Sequence, residues 1–321
     1  MLYLVLFIIG LVALYFGAEW LVRGGARLAR SLGVGPLVVG LTVVAFGTSA
    51  PELVVSAFAA AGGTSDVAAG NVVGSNIINI ALILGLAAVI SPLRVEMRLL
   101  AREVPIMIAA SIAPLFFAFD GVIGRGEGLM LLAGFGFYLR FVLRAARREP
   151  AEIAIEYEEF EAAGAMEPVV ARAWRNPALI AIGIVGLVIG ARLLVQSSLF
   201  FARSAGISEL VIGLTIVALG TSLPELATST VAAFRREADI AVGNVIGSNV
   251  FNMLMILGVA TTITPFRLDP ALVRFDLPVM IGLAVLLVPL ALWRFRLGRW
   301  EGALLVLGYV AYTWLLLERR A

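Results

Sequence analysis

The chain is predicted to be an all-α membrane protein: ten transmembrane helices, built as two inverted five-helix repeats with broken helices at a shared site. Three observations predict this. The 321 residues are 61% hydrophobic with a mean hydropathy of +1.02, which leaves too little polar surface for a water-soluble domain. Apolar runs of membrane-spanning length recur from one end to the other. The stretch GLTVVAFGTSAPEL at residues 40–53 returns as GLTIVALGTSLPEL at 213–226.

The apolar segments fall at roughly 2–22, 34–60, 67–90, 99–119, 124–144, 176–199, 208–234, 239–263, 273–293 and 299–318. The first has no basic leader and no small-x-small cleavage site, so it reads as a retained helix and not a signal peptide. Pro36, Pro92, Pro177 and Pro265 stand near segment ends, where a missing N–H costs little. All 24 basic residues are arginine. With the N-terminus outside, 17 of them fall on one side, which is therefore the cytoplasm. Both termini are then expected outside and the central linker inside.

The repeat runs well beyond the opening stretch. A constant offset of 173 pairs Gly17 with Gly190, Arg30 with Arg203, Glu52 with Glu225, Asn71 with Asn244, Pro92 with Pro265 and Pro105 with Pro278. Each unit holds five helices, an odd number, so the second copy is expected to enter the membrane upside down, the architecture of secondary transporters. The units are 1–144 and 176–321. Between them, 145–175 is hydrophilic and glutamate-rich, and reads as a solvated tether.

Each copy of the opening stretch places a glutamate inside an apolar segment, where a carboxylate is costly and marks a functional site. Pro51 cannot donate to the carbonyl four residues back, and Gly47 weakens the helix further. The helix is therefore expected to break around 45–49, freeing carbonyls beside the hydroxyls of Thr48 and Ser49, with Glu52 on the face of Thr48. Gly220, Thr221, Ser222, Pro224 and Glu225 repeat the arrangement. In the next segment Asn71, Ser75 and Asn79 are spaced to share one helix face, and Gly70 and Gly74 permit close helix approach; Asn244, Ser248, Asn252, Gly243 and Gly247 are the second copy. Asn71 and Asn244 read equally as ligands or as helix-to-helix bonds. Ser75, Asn79, Ser248 and Asn252 read as ligands.

The donor set is two carboxylates with amide, hydroxyl and carbonyl oxygens. The chain has no cysteine and no histidine, which excludes thiolate chemistry and soft metals. Oxygen donors alone suit Ca²⁺ and, by the same hardness, Na⁺; Mg²⁺ holds its waters too tightly. Two carboxylates sharing a cavity repel each other, so protons compete with the cation. Other polar residues carry less: Glu19 and Arg192 read as interfacial snorkelling side chains, and Asp66 and Asp239 as helix starts. No nucleophile or acid–base constellation suggests an enzyme.

The motifs GTSAPE with GNVVGSNIIN, and GTSLPE with GNVIGSNVFN, resemble the alpha repeats of the calcium/cation antiporter superfamily, particularly its sodium/calcium exchanger branch. The resemblance covers nearly the whole chain. It implies four ion sites in the middle of the membrane, with Glu52, Asn79, Glu225 and Asn252 at the centre. Thr48, Ser49, Ser75, Thr221, Ser222 and Ser248, with the carbonyls of Ala45 and Ala218, complete the flanking sites. It also implies alternating access by sliding of the first and sixth helices. One departure stands out: such exchangers carry an acid at one of the positions held here by Asn79 and Asn252, and this chain has amides at both. Two negative charges balance one Ca²⁺ or two Na⁺.

The expected function is antiport of Na⁺ and Ca²⁺ across the plasma (inner) membrane by a monomer, with no cofactor and no nucleic-acid partner. A proton/Ca²⁺ antiporter is the alternative, and a cation channel a further one.

Overall fold

A computed structural model describes residues 2–117, 121–146, 175–204 and 218–320. The first half runs α1 (Leu2–Leu32), α2 (Pro36–Thr48), α3 (Ala50–Ala61), α4 (Asp66–Ile90), α5 (Met97–Phe117) and α6 (Arg125–Ala146). The second runs α7 (Asn176–Phe201), α8 (Ala218–Thr221), α9 (Leu223–Phe234), α10 (Ala238–Ile263), α11 (Leu272–Leu292) and α12 (Arg299–Arg320). Among the described residues seven helices are each long and apolar enough to cross a bilayer, and α2 with α3 make an eighth span bent by 47°. The expected segment at 208–234 falls partly on 205–217, and the expected tether at 145–175 almost wholly on 147–174. Both stretches lie outside the described residues.

Sequence pattern sorts these helices into a centre and a rim. α10 has almost no exposed face, with 94% of its spanning window buried; α4 follows at 72%. α1 and α7 bury only 39% and 28% of theirs, and α1 shows Ile8, Val12, Tyr15 and Phe16 on its outer face. These two pack antiparallel on each other along glycines. A Cβ placed on Gly17 would lie 2.7 Å from the Leu187 nitrogen, one on Gly183 2.7 Å from the Leu21 nitrogen, and one on Gly190 2.7 Å from the Leu14 nitrogen. Only glycine lets the two backbones come this near.

Two features depart from uniform α-helix. Short antiparallel pairings join loops of the two halves: Leu93–Arg94 with Arg296–Leu297, and Val122–Ile123 with Phe266–Arg267. Their ladders satisfy backbone groups where chain leaves a helix. π-helical turns interrupt α2 at Gly40–Val44, α4 at Ile78–Leu84 and α10 at Asn252–Ile256, and one opens α11 at Leu272–Asp276. Such turns insert a residue and rotate the face that follows them. Strict i, i+4, i+8 stacking of Asn71, Ser75 and Asn79 therefore ends at Ile78, one residue before Asn79.

Candidate functional site

The break between α2 and α3 falls at Ser49, with φ −82° and ψ 6°, and the break between α8 and α9 at Ser222, with φ −88° and ψ 8°. Pro51 and Pro224 stand at the starts of α3 and α9, so the chain resumes as helix immediately after each break. Glu52 and Glu225 lie in the first turns of these helices, where the helix dipole favours a negative charge.

The two breaks meet face to face. Ser49 Oγ donates to Glu225 Oε1 at 2.8 Å, and Ser222 Oγ donates to Glu52 Oε1 at 3.2 Å. Thr48 Oγ1 donates to Asn244 Oδ1 at 3.1 Å, and Thr221 Oγ1 donates to Asn71 Oδ1 at 3.2 Å. Asn71 Nδ2 in turn donates to Ser56 Oγ at 2.9 Å, and Asn244 Nδ2 to Ser229 Oγ at 3.0 Å. Every one of these contacts has its counterpart 173 residues on, so each half completes the other. Ser49 Oγ also lies 3.0 Å from Ser248 Oγ.

What remains after this pairing is a set of buried oxygens with no protein partner. Glu52 Oε2, Glu225 Oε2, Ser75 Oγ, Asn79 Oδ1, Asn249 Oδ1 and Asn252 Oδ1 are all of this kind. An unmatched buried acceptor is costly, and most native ones are matched by water or an ion. The cluster holds two carboxylates: no group of three histidine, cysteine or acidic side chains occurs among the described residues.

Several expectations need correction. The carbonyl of Ala45 is not freed by the break: it accepts from the Ser49 N–H at 3.0 Å, and Thr48 Oγ1 lies 3.3 Å from it. Ala218 opens α8 beside the undescribed stretch 205–217. Asn71 and Asn244 have both amide ends engaged, so they brace the threonines and the neighbouring helix. Gly243 and Gly247 carry a close helix contact, with would-be Cβ atoms 2.9 Å from the Leu37 carbonyl and 2.7 Å from the Leu41 carbonyl, whereas Gly70 and Gly74 do not, a Cβ on either meeting nothing within 4 Å. Glu19 does not snorkel. It is buried and pairs with Arg23 at 2.6 Å and, through two nitrogens, with Arg235 just past α9. Glu237, in the loop before α10, shares a cavity with Arg23, Arg27, Arg30 and Arg235. Burial raises its carboxyl above the ordinary range, and the Arg30 and Arg235 charges oppose that.

Reading by residue type passed over Asn76 and Asn249, which are buried at the same centre. Asn76 Nδ2 lies 3.4 Å from the Asn249 carbonyl, and Asn252 Nδ2 donates to Asn76 Oδ1 at 3.0 Å. The signal was present: both stand inside the duplicated GNVVGSNIIN and GNVIGSNVFN motifs, 173 apart. Ser56 and Ser229 obey the same offset.

Comparison with known proteins bears on the family and the fold. A family model described as "Sodium/calcium exchanger protein" matches residues 2–144 and 176–318. An inner membrane protein of Escherichia coli (strain K12) is 38% identical over 314 residues, which cover 96% of this chain and 94% of that protein. A sodium/calcium exchanger of Methanosarcina acetivorans is 34% identical over 336 residues, covering 95% of each. A solved structure of the sodium-calcium exchanger NCX_Mj superposes with a TM-score of 0.82 at 32% identity, over 99% of this chain and 98% of that one.

Proposed function

This chain belongs to the sodium/calcium exchanger protein family, and we propose that it extrudes Ca²⁺ across the plasma (inner) membrane in exchange for inward Na⁺, working as a monomer by alternating access. It is an integral membrane cation/Ca²⁺ antiporter and not an enzyme. The observation that carries the finer reading is the facing pair of breaks, where each glutamate keeps one oxygen on the opposite serine and one oxygen unpartnered. Glu52 and Glu225, with Asn79 and Asn252, are the proposed central ligands, and Thr48, Ser49, Ser75, Thr221, Ser222 and Ser248 the flanking ones. All are hard oxygen donors, which fits both Ca²⁺ and Na⁺. Two carboxylates balance one Ca²⁺ or two Na⁺, so the same cage holds either cargo without a net buried charge.

The proposed architecture is ten spanning helices in two inverted repeats, 1–144 and 176–321, joined by a cytoplasmic tether. The unbroken offset and the reciprocal contacts support it, and the family match leaves out 145–175. Both termini lie outside by the arginine distribution. α1 and α7 are the proposed sliding pair.

The test is radiolabelled Ca²⁺ flux in proteoliposomes with Na⁺, H⁺ and K⁺ gradients imposed one at a time. Uptake driven by an outward Na⁺ gradient, abolished by Glu52→Gln, is the expected result. The second reading, exchange of protons for Ca²⁺, is favoured by one observation: two carboxylates can trade one Ca²⁺ for two protons with no other acid. Flux that ignores Na⁺ and follows a pH step would establish it. Continuous current without a counter-ion would instead mean a channel.

A further inference from the structure

An amide differs from a carboxylate in a way that matters to a cation. One end is an oxygen ligand; the other is an N–H₂ that repels the metal. A cage with amides at Asn79 and Asn252 therefore needs something to decide which end faces inward, and a carboxylate at either position would not.

For Asn252 that decision passes through Asn76. The Asn249 carbonyl and the Met280 thioether lie 3.4 Å and 3.6 Å from Asn76 Nδ2. Both groups only accept, so the nitrogen of Asn76 faces them. Its Oδ1 is thereby turned toward Asn252, 3.0 Å from Nδ2 of that residue. An amide oxygen also only accepts, so Asn252 must give its nitrogen to Asn76. The Oδ1 of Asn252 is then the end left over, buried and without a protein partner.

We infer that Asn76 is a positioning residue for the ion site, holding Asn252 so that its carbonyl oxygen and not its N–H₂ is offered to the cation. The inference rests on the antiporter reading of the Glu52–Glu225 site. Asn79 has no such holder: both of its amide atoms lack a partner, as do both side-chain atoms of Asn249. Orientation is imposed on one amide and left to the ion at the other. If Asn76 could not accept, Asn252 would be free to turn its N–H₂ toward the glutamates of the cage, and Ca²⁺ would have to break that arrangement to bind.

The experiment is equilibrium binding of radiolabelled Ca²⁺ to the purified full chain in Na⁺-free buffer. Asn76→Leu removes the acceptor at similar volume, and Asn76→Ala removes it without bulk should leucine disturb folding. Either is expected to weaken binding roughly tenfold, the scale of one buried hydrogen bond set against the site. In an Asn252→Asp background the two oxygens are equivalent and there is nothing to orient. There the same substitutions are expected not to weaken binding, because the oxygen they remove would face another acceptor. Equal losses in both backgrounds would reduce Asn76 to packing and overturn the inference, as would unchanged affinity in the unaltered background. Glu52→Gln separates the premise from the inference. If it leaves Ca²⁺ binding intact, the site reading falls and this inference with it. If it abolishes binding while neither Asn76 variant weakens it, the inference alone falls.

Discussion

The centre of this protein and the seam between α1 and α7 are both packed to close contact, but by opposite means. At the centre, hydroxyls, amides and carboxylates from both halves meet at 2.8–3.2 Å, and each bond has a required direction. Displacing one partner leaves a buried donor or acceptor unmet. Along the seam, glycines bring backbone against backbone, and the attraction is dispersion with no preferred direction. A seam of that kind holds α1 and α7 together as one unit, the pair proposed to slide against the rest. The contrast fits the ion holding proposed for the centre and the movement proposed for the rim, and the Glu19–Arg235 pair ties α1 to the end of α9.

The largest effect should come from the centre. Glu52→Gln or Glu225→Gln is expected to lower Ca²⁺ binding and Na⁺-driven flux by at least about a hundredfold, because a buried charge proposed as a ligand is replaced by a neutral group. Retained binding in both variants would move the ion site elsewhere.

The seam supplies the sharper contrast. Gly17→Leu or Gly183→Leu forces a side chain into a gap where even a Cβ meets backbone at 2.7 Å. Overpacking of this sort costs about 1–3 kcal/mol and should splay the pair that is proposed to move as one. Flux is expected to fall about tenfold while Ca²⁺ affinity stays within about twofold, as measured side by side on the same preparation. Equal loss of both would mean that the two regions are not separable.

Glu19→Gln should act on stability before transport. Glu19 is buried but Arg235 is about a third exposed, so the pair is discounted to roughly 1–2 kcal/mol. Thermal unfolding in detergent checks this, and Arg235→Gln should add little on top of Glu19→Gln because the Glu19–Arg235 interaction is by then already gone. Thr48→Val is expected to be mildest. It strips the donor from Asn244 Oδ1 and costs about 1 kcal/mol, seen as a few-fold rise in the Ca²⁺ concentration needed for half-maximal flux.

Much of this is legible in the sequence. Glu52 and Glu225 announced themselves because a carboxylate in an apolar segment is expensive, and the offset of 173 doubled the signal. The break was legible because Pro51 and Gly47 act on backbone geometry locally. Glu19 was misread for the opposite reason: its partner Arg235 is 216 residues away, and an isolated acid near a helix end looks interfacial. The π turns at Ile78–Leu84 and Asn252–Ile256 left no mark either, since an inserted residue in a helix is decided by what packs around it.

By itself, the sequence determined the apolar spans, the duplication, the two acid-bearing breaks and an oxygen-only donor set, because each follows from residue type and spacing along one chain. Tertiary structure alone decided which serine meets which glutamate, that the Ala45 carbonyl stays bonded, that Glu19 is paired, and which end of Asn252 is held. Those outcomes depend on groups far apart in the chain being brought within hydrogen-bonding distance, and spacing along a single helix carries no information about what faces it.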